Sequence, residues 1–162
     1  MIIISDTTPI ISLIKINQWN LLRKLFGTVL IPYAVFHELT TNPKFSDESF
    51  IVKNCCFIET FPVTNPLAVQ QFREENGLDL GESEAIVLAK ELKALSLLID
   101  ERKGRRVAHQ EGLKITGTIG ILKMAYEDNF LSKQQFTDCL HIIRESSLRI
   151  SDKIIDDILN NP

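Results

Sequence analysis

A run of β-branched residues that stops on a carboxylate, Ile2-Ile3-Ile4-Ser5-Asp6 followed by Thr7-Thr8-Pro9, constrains this chain more than any other stretch. A strand that is apolar on both faces needs helices above and below it, which is the setting of a parallel sheet. Asp6 then stands at the carboxyl end of a buried strand, the edge at which open α/β sheets bind ligands. Thr8 and Pro9 predict a helix start directly behind it, with Thr8 as cap and Pro9 at the first helical position. Alone, Asp6 reads as a helix cap; the other carboxylates of the chain give it a second reading.

Apolar runs at 28–31, 56–61, 94–99 and 113–116 predict further strands. The expected fold is α/β, with a central, mainly parallel sheet of about four to five strands. Helical spacing of apolar residues predicts helices near 10–16, 19–26 (closed by Gly27), 32–39, 65–76 (closed by Gly77), from Asp79 through Leu92, 107–112 and 119–129, then one capped by Ser132 and a final amphipathic helix after Ser151. Thr41-Asn42-Pro43-Lys44 predicts a loop or a weakly held helix over 40–54. With 162 residues, 44% of them apolar, the chain fits one domain over 1–162. The helices over about 119–160 have apolar residues to spare for an oligomer or a partner. No apolar run approaches membrane-spanning length and Met1 leads straight into the first strand, so a soluble cytoplasmic protein is expected. Cys55, Cys56 and Cys139 fit neither a disulfide framework nor a zinc site and are expected to be buried thiols. A net charge of −3 leaves nucleic-acid binding to a local basic patch.

The run 94–99 ends as the first strand does, on an aspartate, Asp100. Glu38 falls at the border of the Val35/Leu39 stripe of its helix. In the helix opened by Asp79, the stripe of Ala85, Leu88, Ala89 and Leu92 projects one turn back onto Glu82, while Glu84 falls to the solvated side. Asp79 and Glu82 also have capping-box spacing, the structural explanation of the same glutamate. Four carboxylates at one sheet edge repel each other unless a cation neutralises them, and Mg²⁺ or Mn²⁺ is the hard ion that oxygen donors prefer. Such a site suits in-line attack of water on a phosphodiester. Arg102, Lys103, Arg105 and Arg106 follow Asp100 and offer a phosphate-backbone contact, or else a solvated loop. His37, His109 and His141 have no ligand spacing.

The four segments Ile4-Ser5-Asp6-Thr7-Thr8-Pro9-Ile10-Ile11, Ile31-Pro32-Tyr33-Ala34-Val35-Phe36-His37-Glu38-Leu39, Gly81-Glu82-Ser83-Glu84-Ala85-Ile86 and Leu97-Leu98-Ile99-Asp100-Glu101-Arg102 together resemble the PIN-domain nucleases. The likeness is greatest to a prokaryotic subgroup related to the VapC-type toxins of toxin–antitoxin modules. The resemblance implies a three-layer α/β/α fold and a Mg²⁺- or Mn²⁺-dependent endoribonuclease. In it Asp6, Glu38 and Asp100 match metal-binding acids, and Thr7 or Thr8 matches a position supporting the first. Glu82 and Glu84 both remain candidates for the remaining acid, since the helical wheel favours Glu82 and the family's acid-Ala-Leu-Ile pattern favours Glu84. Glu101 is an additional acid, either an outer ligand or an ion-pair partner of Arg102 or Arg105. RNA, a cognate antitoxin and a second copy in a homodimer are the partners implied. The alternative is a catalytically idle PIN fold that binds nucleic acid or protein. A receiver-type phosphoacceptor domain also uses strand-end aspartates, but it calls for a lysine where Thr116-Gly117-Thr118 stands.

Overall fold

Side chains alternate between two faces along each strand, and in the central strands both faces are buried. A computed structural model, which describes residues 1–146 and 152–160, contains five short strands: β1 (Ile3–Ser5), β2 (Val29–Ile31), β3 (Ile58–Thr60), β4 (Ser96–Leu98) and β5 (Ile115–Thr116). All neighbouring pairs are parallel, in the order β3-β2-β1-β4-β5. The chain builds outward from β1 to β3, then returns to the other side of β1 for β4 and β5. That reversal puts a topological switch point between β1 and β4, where the connections at the carboxyl ends diverge and leave a crevice.

Ten α-helices are formed among the described residues: α1 (Thr7–Lys15), α2 (Asn20–Phe26), α3 (Tyr33–Thr41), α4 (Ser46–Lys53), α5 (Pro66–Asn76), α6 (Leu80–Glu91), α7 (Arg102–Gln110), α8 (Thr118–Glu127), α9 (Lys133–Glu145) and α10 (Asp152–Asn160). They cover both faces of the sheet in three α/β/α layers. Ile3, Val29, Ile31 and Leu98 belong to one core with residues of α1, α2, α3, α8 and α9. Ile4, Leu97 and Ile99 belong to the other, with Ala85, Ile86, Leu88 and Ala89 of α6 and Val107 and Ala108 of α7. The parallel sheet and its sandwiching thus follow the sequence expectation.

Four local expectations change. Helix α1 begins at Thr7, so that Asp6 rather than Thr8 occupies the N-cap position, although its side chain makes no capping bond there. Pro9 is tolerated in that first turn because the N–H it lacks would have no intrahelical partner. The segment 40–54 is a 3-10 turn (Pro43–Phe45) leading into α4, which the Lys15–Glu48 ion pair at 3.1 Å ties to α1. The basic run after Asp100 is the opening of α7 rather than a loop. Of the three thiols, Cys139 is buried, Cys55 half-buried and Cys56 exposed, so the expectation of burial fails for the last.

Candidate active site

Parallel pairing fixes where the strand-end acids stand. Ile4 pairs with Leu97 and Ser5 with Leu98, and the Asp6 N–H continues the ladder onto the Leu98 carbonyl at 2.9 Å. Asp6 and Asp100 therefore leave adjacent strands at one edge, on the two sides of the switch point.

Helix α3 brings Glu38 to the same edge. Its Oε2 accepts a hydrogen bond of 2.8 Å from the Thr7 hydroxyl, the residue after Asp6. The bare Cα of Gly81 on α6 faces this pair: a β-carbon built there would lie 3.5 Å from Glu38 Oε2 and 3.6 Å from Asp6 Oδ1. Both carboxylates thus border one small space that the missing side chain leaves open. Glu82 is next along α6 and is buried. It forms the capping box foreseen in the sequence, its own N–H on Asp79 Oδ1 at 2.8 Å and its Oε2 accepting from the Asp79 N–H at 3.3 Å. Gly104 of α7 closes over it, with no room for a side chain between Glu82 Oε1 and Ile99.

Electrostatics shows that Asp6 and Glu82 share this environment. Burial pushes the Asp6 carboxyl well above the ordinary carboxylate range, against the Thr7 backbone hydrogen bond that lowers it, and the charges of Glu82, Asp79 and Glu38 push it further. Burial likewise raises Glu82 to about 7, with Asp79, Glu101 and Glu38 adding repulsion. Asp79 thus contributes charge to the site as well as a helix cap. Its capping spacing was legible; its closeness to Asp6 was not.

The structure gathers Asp6, Glu38 and Glu82, and handles Asp100 and Glu84 differently. Asp100 accepts from the Thr118 N–H at 2.7 Å through Oδ1 and from the Thr118 hydroxyl at 2.6 Å through Oδ2. Burial raises its carboxyl, while the Thr118 bonds and the Arg105 guanidinium oppose that rise. Glu84 is not a freely solvated side chain: its Oε2 accepts from the Ala34 N–H at 2.8 Å, capping the first turn of α3. Thr7 is buried and Thr8 half-buried. Glu101 is half-buried and close enough to Glu82 to raise it.

The basic cluster divides. Lys103 donates to the Gly77 carbonyl at 2.8 Å, capping the end of α5, and Arg105 donates to the Ile99 carbonyl at 2.8 Å. Arg102 and Arg106 are exposed. Thr118 and Gly81 carried no functional reading in the sequence. Thr118 could have been reached from the expected β5, because a residue leaving β5 at the carboxyl edge stands beside one leaving its neighbour.

Among the described residues, no three Asp, Glu, His or Cys side chains are already arranged as a metal-ligand group. The donors nevertheless suit a hard divalent cation in kind, being carboxylate oxygens whose burial and mutual repulsion a cation relieves. No curated protein matches the chain. A family model described as a PIN domain matches residues 2–161.

Proposed function

From the chain's membership of the PIN-domain family, whose members are in general nucleases that use divalent metal ions, we propose that this protein is a Mg²⁺- or Mn²⁺-dependent endoribonuclease. The observation that carries the reading is that Asp6 and Glu38 border one space at Gly81 at the switch point of the sheet, with the Glu82 carboxylate close enough for its charge to act on Asp6. When bound there, a divalent cation neutralises charge on the phosphoryl group and acidifies the attacking water. Asp6, Glu38 and Glu82 would hold it, and Asp100 would join them from β4. Glu84, engaged at the start of α3, stands behind Glu82 as a ligand. Thr7 fixes the rotamer of Glu38 through its hydroxyl, and Gly81 keeps the space between the acids free of side chain. Arg102 and Arg106, exposed on α7, would contact the phosphate backbone.

We further propose that the enzyme acts in the cytoplasm as the toxin of a toxin–antitoxin pair and that the single domain forms a homodimer. Support comes from a cleft of about 590 Å³ lined by Tyr126, Phe136, Leu140, Ile158 and Leu159, which offers an apolar seat for a second copy or an antitoxin segment. No helix among the described residues is long and apolar enough to cross a membrane. One observation favours the rival reading of an idle fold that only binds: each oxygen of Asp100 accepts a hydrogen bond from Thr118, which gives that acid a structural duty as well.

The test is cleavage of a panel of structured RNAs with Mg²⁺, Mn²⁺ or excess chelator, beside Asp6→Asn. Metal-dependent cutting that Asp6→Asn abolishes is the expected result. No cutting under any condition, together with no metal binding by calorimetry, would overturn it in favour of the binding module.

A further inference from the structure

Helix α3, which carries Glu38, begins without a cap of its own. Pro32 holds its N-cap position and makes no side-chain capping bond, and no acid stands in its first turn. The first N–H groups of a helix lack intrahelical partners, and the positive end of the helix dipole favours an anion there. Both needs are met from another element: Glu84 of α6, 50 residues further along the chain, accepts from the Ala34 N–H at 2.8 Å. Ala34 and Glu38 are one turn apart, so the bond and the acid lie on one side of α3. The same face of α6 meets α3 a second time. Gly81 stands one turn before Glu84, and a β-carbon built on it would lie 3.5 Å from Val35 Cγ2 and 3.5 Å from Glu38 Oε2. A step back along α6, from Glu84 to Gly81, is thus a step forward along α3, from its start to Glu38. Two contacts of opposite sense fix where α3 stands along its own axis. Glu38 keeps its 2.8 Å bond with Thr7 only while α3 holds that place. Glu82 lies two residues from Glu84, hence on another side of α6, and meets Gly104 of α7.

From this geometry we infer that Glu84 is a positioning residue, an acid of α6 that anchors the start of α3 and thereby sets Glu38 against Thr7 and Asp6. This role rests on the nuclease reading above and deepens it, because Glu84 serves the cation through Glu38 and does not touch it. What the position requires is an acceptor for one N–H, which a carboxamide oxygen also supplies. A ligand to a hard divalent cation draws on the negative charge, which a carboxamide lacks. The two roles therefore respond differently to the same substitution.

Calorimetry of Mn²⁺ binding to the full chain, with Glu84→Ala and Glu84→Gln, separates them. Glu84→Ala is expected to weaken binding about tenfold, the size of a lost outer partner of a metal ligand, and Glu84→Gln to stay within about threefold of wild type. In a Glu38→Gln background, Glu84→Ala should weaken binding by no more than about twofold further, because its effect passes through Glu38. Equal losses in Glu84→Ala and Glu84→Gln would make Glu84 a ligand and overturn the inference, as would unchanged affinity in both. A second arm needs no cation. In chelator, the drop in urea midpoint caused by Thr7→Val is measured with Glu84 intact, in Glu84→Ala and in Glu84→Gln. Thr7 bonds Glu38 and Glu84 bonds Ala34, so the two share no partner, and independent sites would give equal drops. The drop is instead expected to shrink by about half or more in Glu84→Ala and to return in Glu84→Gln. Equal drops in all three overturn the positioning role. Coupled drops in a wild type that binds no cation support the positioning role and reject the metal-dependent nuclease. Cation binding with equal drops does the reverse.

Discussion

Glu82 carries two duties that pull in opposite directions. As the third residue of α6 it completes the capping box with Asp79, while its burial beside Asp79, Glu101 and Glu38 raises its carboxyl from 4.5 to about 7. The folded protein then binds more protons than the unfolded chain between those values, so stability falls as pH rises through that window. Glu82→Gln retains the cap and removes the charge. In chelator it is expected to be on the order of 1 kcal/mol more stable than wild type near pH 8 and no more stable near pH 4, by urea denaturation at each pH. Equal stability at both would mean that the carboxylate is solvated. Thr118 carries the opposite expectation. Thr118→Val keeps volume but leaves Asp100 Oδ2 without its hydroxyl donor, at a cost of about 1–3 kcal/mol above the carboxylate range. Thr118→Ser should restore most of it, as read by thermal melting. Glu82 was legible because helical periodicity points it inward. Thr118 was not, because its partner lies 18 residues away and is reached only through the pairing of β4 with β5.

Elements whose signals are local were read well. Asn65 caps α5 by accepting from the Leu67 and Ala68 N–H groups, Ser132 and Gln135 form a second capping box, and Gly77 ends α5 in the left-handed region at φ 62°. Helix starts without such signals were misplaced. The charged start of α7 reads as loop by composition, yet its buried face is only Gly104, Val107 and Ala108. Arg102, Arg105 and Arg106 project from the rest of the turn, a stripe too narrow to be found in a basic run. What the sequence could not convey is how closely the helices approach the acids, since that distance depends on two elements at once. Gly81 makes the point testable. Alanine there should help α6 as a helix by up to about 1 kcal/mol. Its methyl would enter ordinary contact with Glu38 Oε2 and Asp6 Oδ1, filling the space between them. Gly81→Ala is thus expected to fold at least as stably as wild type in chelator and to lose metal affinity by tenfold or more, measured by calorimetry. An unaffected affinity would place the cation elsewhere.

At the scale of the whole molecule, the order β3-β2-β1-β4-β5 decides that Asp6 and Asp100 are neighbours, although they are remote in sequence. The apolar runs announced parallel strands, and the matching strand-end aspartates implied a shared edge. Strand order itself was not legible in the residues, because periodicity yields elements and not their arrangement. A fold that buries Asp6 and Glu82 near one another is less stable for doing so when they are charged, and a cation that binds the folded state recovers that loss. Mg²⁺ or Mn²⁺ at a hundredfold excess over its Kd should therefore stabilise the protein by about 2.7 kcal/mol, a rise in Tm of roughly 5–10 °C for a chain of this size. Protons compete for the same oxygens, and both carboxyls are raised. The metal-induced rise should accordingly be small near pH 5.5 and grow as pH passes the Glu82 value of about 7. Asp6→Asn should melt at or above wild type in chelator, having lost a buried charge, and should gain little from metal at any pH. A metal-induced rise in Asp6→Asn equal to that of wild type would show that the cation binds outside the Asp6–Glu38–Glu82 space, and the active site would have to be sought on another part of the edge.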